Sequence, residues 1–259
     1  MRPSYKLATL ALGSAALLPV VGAGSAFAAD GNVNANLKPV ALNGVNGSGM
    51  ASVAVKGTTL NVTMAASGLL AGSPHAAHIH FGAKARNECP TGADDAKGDG
   101  TINTSDGAPA YGPIVVSLTK TGDTSPDSGL AVDRYDAAAG GKISYERGSI
   151  KVSQGVADAV ASGKSVVVIH GVDHNENGKY DGATQSDLDP KLPTEATDPA
   201  LCGVLSAMPA GGMATGAGGA STGTSDGFAT GGMIALGGGL MLVAAGSGVY
   251  SVRRNRARG

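Results

Sequence analysis

The sequence predicts an all-β protein, an antiparallel β-sandwich assembled mainly from short strands. Three observations favour this class: apolar and polar residues alternate along several short segments, turn-forming residues separate those segments, and one segment alone has the pattern of a helix. Trp is absent and Phe occurs three times, so the core must be built from Val, Ile, Leu and Ala.

The clearest strand pattern is in residues 60–64, where alternate side chains are apolar as in a half-buried strand. Residues 51–56 have a similar pattern, and the glycine-containing turn between the two segments indicates a hairpin. The one helix predicted within residues 30–208 covers residues 154–162, with Ser153 as its N-cap. Five further segments have strand character: residues 76–81, 113–118, 142–145, 165–170 and 201–206.

The N-terminus has the layout of a secretory signal peptide. Basic residues precede the apolar stretch 7–21, and Ala26-Phe27-Ala28 supplies a small-x-small cleavage motif. This order of basic, apolar and small residues predicts export with removal of residues 1–29. A buried N-terminal helix is the alternative interpretation.

The C-terminus carries a second apolar segment, residues 233–252, which contains no charge and is long enough to span a membrane as a helix. Residues 253–259 include four arginines, which predict a cytoplasmic basic tail under the positive-inside rule. Residues 209–232, rich in Gly, Ala, Ser and Thr, predict a flexible linker. Residues 30–208 are therefore predicted to be one domain outside the cell membrane, held by a single C-terminal span. A cell-wall sorting signal has the same layout, and a Gly-rich soluble tail is a further alternative.

The charge of the exported part narrows the class of partner. Six of the 19 basic residues lie in the signal peptide and the tail, which leaves 13 basic residues against 20 acidic ones, a net charge of −7. An acidic surface argues against nucleic acid and other polyanions as partners and suits cation binding. The sequence does not indicate a protein partner.

The chain has two cysteines, Cys89 and Cys202. An even number of cysteines outside the cytoplasm favours a disulfide, with free thiols as the alternative. Such a bond would close a loop of more than 100 residues. It would contribute about 3–5 kcal/mol to stability in the chain-entropy model.

The five histidines fall into two clusters. His75, His78 and His80 form the first, and on a strand His78 and His80 point to one face with imidazoles near enough to share a metal. His170 ends an apolar strand, and His174 lies in the loop beyond it. We therefore predict a metal site at His78, His80 and His170, which His75 or His174 would complete. In the alternative, His78 and His80 are polar-face residues hydrogen-bonded to neighbouring loops.

Three pieces of the sequence, GSPHAAHIHFG, GKSVVVIHGVD and LCGVL, resemble the CHRD domain family. In order and spacing they are also similar to copper/zinc superoxide dismutase, an eight-stranded Greek-key β-sandwich, over most of residues 35–206. The resemblance implies a Greek-key sandwich of the superoxide-dismutase type. It also implies that His78, His80 and His170 are copper ligands and that Cys89 pairs with Cys202.

The sequence departs from the dismutase at positions that matter for catalysis. No histidine lies between His80 and His170, where the dismutase has further ligands, including one that bridges copper and zinc. Pro199 stands where the dismutase keeps an arginine that steers its anionic substrate. We therefore predict a non-catalytic CHRD-like module. The alternatives are a copper-only superoxide-dismutase-like enzyme and an extracytoplasmic copper-binding protein.

Two loops follow the twelve-residue EF-hand pattern of calcium sites, in which carboxylate and amide oxygens surround the ion and Gly occupies the sixth position. In residues 95–106 the candidate ligands are Asp95, Asp99, Asn103 and Asp106, although Lys97 occupies the third position. In residues 173–184 the candidates are Asp173, Asn175, Asn177 and Asp181, although Thr184 stands at the last position unless Asp187 or Asp189 folds back. In the alternative, both loops are Asx-rich turns without an ion.

Overall fold

A computed structural model of the protein describes residues 30–207. The predicted signal peptide, linker, transmembrane helix and basic tail lie outside the described residues. Within residues 30–207, no helix is both long enough and apolar enough to cross a membrane.

The regular structure of residues 30–207 consists of ten β-strands, two α-helices and four short 3-10 helices. The strands are β1 (Gly31–Pro39), β2 (Ser48–Lys56), β3 (Thr59–Ser67), β4 (Pro74–His75), β5 (Ala77–His80), β6 (Ile114–Ser117), β7 (Asp136–Ala137), β8 (Lys142–Lys151), β9 (Ser165–His170) and β10 (Pro199–Ala207). The α-helices are α1 (Thr104–Tyr111) and α2 (Gln154–Ala161), and the 3-10 helices are Gly92–Asp94, Pro126–Ser128, Val132–Arg134 and Thr194–Ala196.

Eight strands form one antiparallel sheet, in the order β6-β5-β9-β10-β1-β2-β3-β8. Strands β4 and β7 pair separately as a short ribbon. The sheet is curled, and its two edges lie close together, since Tyr145 and Arg147 of β8 donate hydrogen bonds to the carbonyl of Thr119, just beyond β6. The predicted all-β, antiparallel class is confirmed.

The main core fills the inside of the curled sheet. Along β3, buried Leu60, Val62 and Met64 alternate with more exposed residues, which is the predicted pattern. They share one apolar cluster with Val167 and Ile169 of β9. Side chains from both halves of the sheet therefore pack against each other across a single interior.

Strand β9 is buried on both faces, which explains its unbroken apolar sequence. On the face away from the main core, Val166 and Val168 pack in a second cluster with Ile102, Tyr111 and Cys202. Helix α1 and the long loop before it therefore cover the side of the sheet from which the histidines project.

All seven predicted strands correspond to observed ones, with ends displaced by a few residues. Strand β1 was missed, although Val33, Ala35 and Leu37 alternate as buried residues along it. Asn occupies the intervening positions, and Asn is depleted in strands, so the segment has weak intrinsic strand character.

The predicted helix is observed as α2, with the Ser153 side chain accepting a hydrogen bond from the amide of Val156. The prediction of a single helix was wrong, because α1 is a second one. Gly107 and Pro109 within α1 are poor helix formers, so the segment lacks a helical pattern. Its capping box and the burial of Tyr111 hold it as a helix despite that composition.

The predicted disulfide between Cys89 and Cys202 is present, with an S–S distance of 2.02 Å. It joins the loop after β5 to strand β10 across 113 residues of sequence. The bond therefore ties the loop that leads into α1 to the central part of the sheet.

Candidate metal centre

Two neighbouring strands bring three histidines together. His78 and His80 lie on β5, which pairs with β9 so that His78 is opposite Val168 and His80 is opposite Val166. His170 ends β9 two residues beyond Val168, so the two-residue period of a strand places it on the same face. One ligand nitrogen from each of the three rings lies within 4.8 Å of the other two, and all three side chains are buried.

Each of these imidazoles has one ring nitrogen against a backbone carbonyl. The distances are 3.0 Å from His78 Nε2 to Gly129 O, 2.8 Å from His80 Nδ1 to Gly112 O, and 2.6 Å from His170 Nδ1 to Thr197 O. Because a carbonyl oxygen only accepts, these nitrogens carry the hydrogen in the neutral rings. The other nitrogen of each ring keeps its lone pair.

The nitrogens that keep their lone pairs are His78 Nδ1, His80 Nε2 and His170 Nε2. Each is buried, and none has a hydrogen-bond partner within residues 30–207. A buried polar atom left unpaired costs roughly 1–3 kcal/mol, so three in one place need a common partner. A metal ion accepts lone pairs, and carbonyls that hold the far side of each ring are the usual outer support of histidine ligands. These residues therefore fit a metal ion.

The surroundings keep the three rings neutral, which is the form that binds metal. Burial, reinforced by the nearby His170 ring, lowers the pKa of His80 to about 3. Burial also lowers the pKa of His170 to about 4, and it holds the pKa of His78 well below its ordinary value. A proton therefore does not compete with a metal for these nitrogens near neutral pH.

A cavity of about 450 Å³ lies over the three histidines. Its walls are mainly apolar and include Ile114, Leu130, Leu188 and Leu192. Asp127 is the one carboxylate among the described residues that line it, and these residues include no lysine or arginine. An ion held by the three histidines would therefore face a mainly apolar cavity.

The structure places the other two histidines elsewhere. Buried His75 has Nδ1 2.8 Å from the carbonyl of His170 and Nε2 3.2 Å from the carbonyl of Leu70, and the Tyr180 hydroxyl lies beside the ring. His174 Nε2 is 2.9 Å from an Asp198 carboxylate oxygen, and this hydrogen bond raises the pKa of His174. Neither ring belongs to the three-histidine group found within residues 30–207.

The first acidic loop is tied to its own backbone. The Asp95 carboxylate accepts hydrogen bonds from the amides of Gly98 and Gly100, and Asp99 accepts from the amide of Thr101. At the end of the loop, the side chains of Asn103 and Asp106 form the capping box that begins α1. The four candidate ligands are therefore divided between a turn and a helix start.

The second acidic loop is more convergent. The Asp173 carboxylate accepts from the amides of Asn177 and Gly178. Asp181 accepts from the side-chain amides of Asn175 and Asn177, and an ion pair with Lys179 lowers the pKa of Asp181 to about 2. Four candidate ligands from the two loops, Asp99, Asn103, Asn175 and Asp181, line one polar cleft together with Lys97.

Sequence reasoning missed two buried acids beneath the second loop. Glu195 accepts hydrogen bonds from the amides of His174, Asn175 and Asp181, and Asp198 accepts from His174. Both lie beyond the twelve-residue pattern, so no local spacing indicates them. The backbone carbonyls that orient the histidines were also missed. Every residue has a carbonyl, so the sequence does not indicate which ones contact the rings.

No protein-family model matches this chain, and a search of curated proteins finds no match. The chemistry of the site therefore follows from its own residues.

Proposed function

We propose that this chain is an exported, surface-anchored, non-catalytic module that binds a copper ion at His78, His80 and His170. The observation that carries the proposal is the convergence of three buried, neutral ring nitrogens, each of which is oriented by a backbone carbonyl on its far side. Three imidazoles with an open fourth direction suit copper, zinc, iron or nickel. Copper(II) is favoured because it has the highest affinity for nitrogen donors in the divalent series.

We also propose that the curled sheet is a Greek-key β-sandwich of the superoxide-dismutase type in a CHRD-like domain. The strand order supports this assignment, since β5 lies beside β9 and β3 beside β8, pairs that are far apart in the chain. Connections that skip strands in this way are typical of Greek-key sheets. His78 and His80 lie on β5 and His170 lies on the neighbouring strand β9, which agrees with the resemblance in the sequence.

The non-catalytic role is supported by the charge around the site. A copper ion held by His78, His80 and His170 would supply a redox-active centre. A dismutase must also attract a small anion, yet the described lining of the cavity contains Asp127 and no lysine or arginine. A copper-only superoxide-dismutase-like enzyme remains the second candidate, favoured by the opening of the cavity over the histidines.

The two acidic loops are proposed as calcium sites that stabilise the domain outside the cell. Their support is the shared polar cleft, which four of their oxygen-bearing side chains line. Extracellular calcium is abundant enough to occupy sites with affinities of about 0.1–1 mM.

The decisive experiment measures bound metal in the purified full-length protein. The protein is equilibrated with copper and zinc in excess, desalted and analysed for both elements. We expect one copper ion per chain, which His78→Ala and His170→Ala lose. The matched control is His174→Ala, which removes a histidine outside the group and keeps the copper. Full copper content in His78→Ala would contradict the proposed site.

A superoxide-consumption assay on the same copper-loaded samples separates the two candidate functions. If the protein is a non-catalytic module, we expect it to consume superoxide no faster than an equal amount of chelated copper in solution. A faster rate that His78→Ala abolishes would establish the enzyme instead.

A further inference from the structure

The cavity over the three histidines has the dimensions of a small-molecule site. Its volume of about 450 Å³ falls within the range of about 300–1,000 Å³ typical of ligand pockets. The three side chains on its floor are at least nine-tenths buried, and their free nitrogens have no hydrogen-bond partner within residues 30–207. The cavity therefore combines an apolar chamber with a polar floor at one point.

The mouth of this cavity is apolar as well. Leu130, Val132 and Leu188 are 40%, 39% and 48% exposed, and all three belong to the cavity lining. They make up half of the exposed large apolar side chains among the described residues, the others being Leu42, Met50 and Val204. Scattered apolar residues are normal on a surface, whereas a group around a concave opening marks a binding site.

The charge of the lining restricts what can enter. Asp127 is the one carboxylate in the described lining, and neither lysine nor arginine is found there. A small anion therefore meets no lysine or arginine in the described lining that would hold it beside the ion, and a cation loses its hydration against apolar walls. An uncharged molecule with an apolar body avoids both costs.

We propose that the cavity binds a small, uncharged organic molecule whose apolar body packs against Leu130, Leu188 and Ile114 and whose nitrogen donor completes the coordination of the metal ion. This inference rests on the proposed function, since the donor atom needs an ion on the three histidines. It names the ligand class of the site, a neutral heterocycle rather than an inorganic anion.

The test compares three probes on the copper-loaded full-length protein by optical and paramagnetic resonance titration at about pH 8. Imidazole carries the donor alone, 4-phenylimidazole adds an apolar body, and azide is a small anion. We expect 4-phenylimidazole to bind at least about tenfold more tightly than imidazole, because burying a phenyl ring is worth a decade or more in affinity. Azide is expected to bind most weakly.

Variants at the mouth locate the effect. Leu130 and Leu188 are exposed, so their substitution spares the core. The variants Leu188→Ser and Leu130→Ser should each reduce the preference for 4-phenylimidazole over imidazole several-fold, while the affinity for imidazole is retained. The matched control is Met50→Ser, which removes an exposed apolar side chain on β2, outside the cavity lining. It should leave the preference intact.

The outcomes separate the two proposals. Equal affinities for imidazole and 4-phenylimidazole with copper bound would overturn the ligand class and leave the metal site standing. Failure to bind copper would overturn both. A doubled mass in sedimentation that Leu188→Ser abolishes, together with equal affinities, would assign the apolar mouth to contact between two copies of the chain and would overturn the ligand proposal.

Discussion

At the three histidines the backbone decides which nitrogen is available. His78 keeps the lone pair on Nδ1, whereas His80 and His170 keep it on Nε2, because the opposite nitrogen of each ring donates to a carbonyl. The three nitrogens that keep their lone pairs are shielded from water and have no hydrogen-bond partner within residues 30–207. The metal-free site is therefore costly, and an ion would recover that cost.

The depressed pKa values predict how the stability of the metal-free protein changes with pH. The folded-state pKa values of His80 and His170 are about 3 and about 4, below the ordinary 6.5 of an unfolded chain. As pH falls below about 6.5, these histidines become protonated in the unfolded state but stay neutral in the folded state. The free energy of unfolding therefore decreases. Between about pH 6.5 and its folded-state pKa, each of these histidines lowers the free energy of unfolding by up to about 1.4 kcal/mol for each pH unit of acidification.

Urea denaturation with a metal chelator, at about pH 7.5 and about pH 5.5, measures this effect. His80→Gln should reduce the loss on acidification. His174 acts with the opposite sign, because Asp198 raises its pKa and its contribution is lost as pH rises, so His174→Gln should enlarge the loss. Equal effects of the two variants would contradict the assignment.

At the scale of elements, α1 and the loop before it pack over the face of β9 that carries His170. The ring of Tyr111, at the end of α1, lies 4.6 Å from that of His80, centre to centre. The next residue, Gly112, supplies the carbonyl that orients His80. The Cys89–Cys202 bond ties the same loop to β10.

Removal of the disulfide is expected to weaken the fold more than the site. The double variant Cys89→Ser/Cys202→Ser should lower the free energy of unfolding by about 3–5 kcal/mol, because the unfolded chain regains the freedom of a long loop. Chemical denaturation measures the loss. Copper content in the folded double variant should stay at one ion, since the ligands belong to paired strands β5 and β9. An unchanged free energy of unfolding would contradict this expectation.

The acidic loops give a prediction of their own. If they bind calcium, addition of millimolar calcium should raise the melting temperature above that in a chelator, because a ligand of the native state stabilises it. Asp173→Asn should reduce this calcium-dependent increase, and Asp133→Asn, outside both loops, should preserve it. A melting temperature that calcium leaves unchanged in the native sequence would exclude the proposal.

At the scale of the whole molecule, an acidic β-domain is proposed to stand outside the membrane on a Gly-rich linker. The disulfide between Cys89 and Cys202 agrees with the proposed extracytoplasmic position. In that proposed position, extracellular metal ions would reach the domain directly.

Cell fractionation tests the tether. We expect the protein to be found in the membrane fraction and to be released from it by detergent, because residues 233–252 would span the hydrocarbon core of the membrane. Deletion of residues 233–259 should release the domain into the medium. Covalent attachment to the cell wall, resistant to detergent, would favour the sorting signal instead.

Local patterns predicted much of the fold. The alternation in β3, the apolar run of β9 and the cap at Ser153 were readable, because each depends on neighbours in sequence. Helix α1 was not, because burial and capping outweigh the poor helix propensity of Gly107 and Pro109. The spacing of His78 and His80 likewise indicated a shared face.

The sequence by itself determined the strand class, the histidines with metal-ligand spacing and the cysteine pair, because these depend on residue type and period. Only the tertiary structure decided that Gly129, Gly112 and Thr197 orient the three rings, that His75 and His174 lie apart from them, and that an apolar cavity opens above. The physical reason is that every residue carries the same carbonyl and any leucine can line a wall. Placement in space, which long-range packing sets, gives such common groups their role.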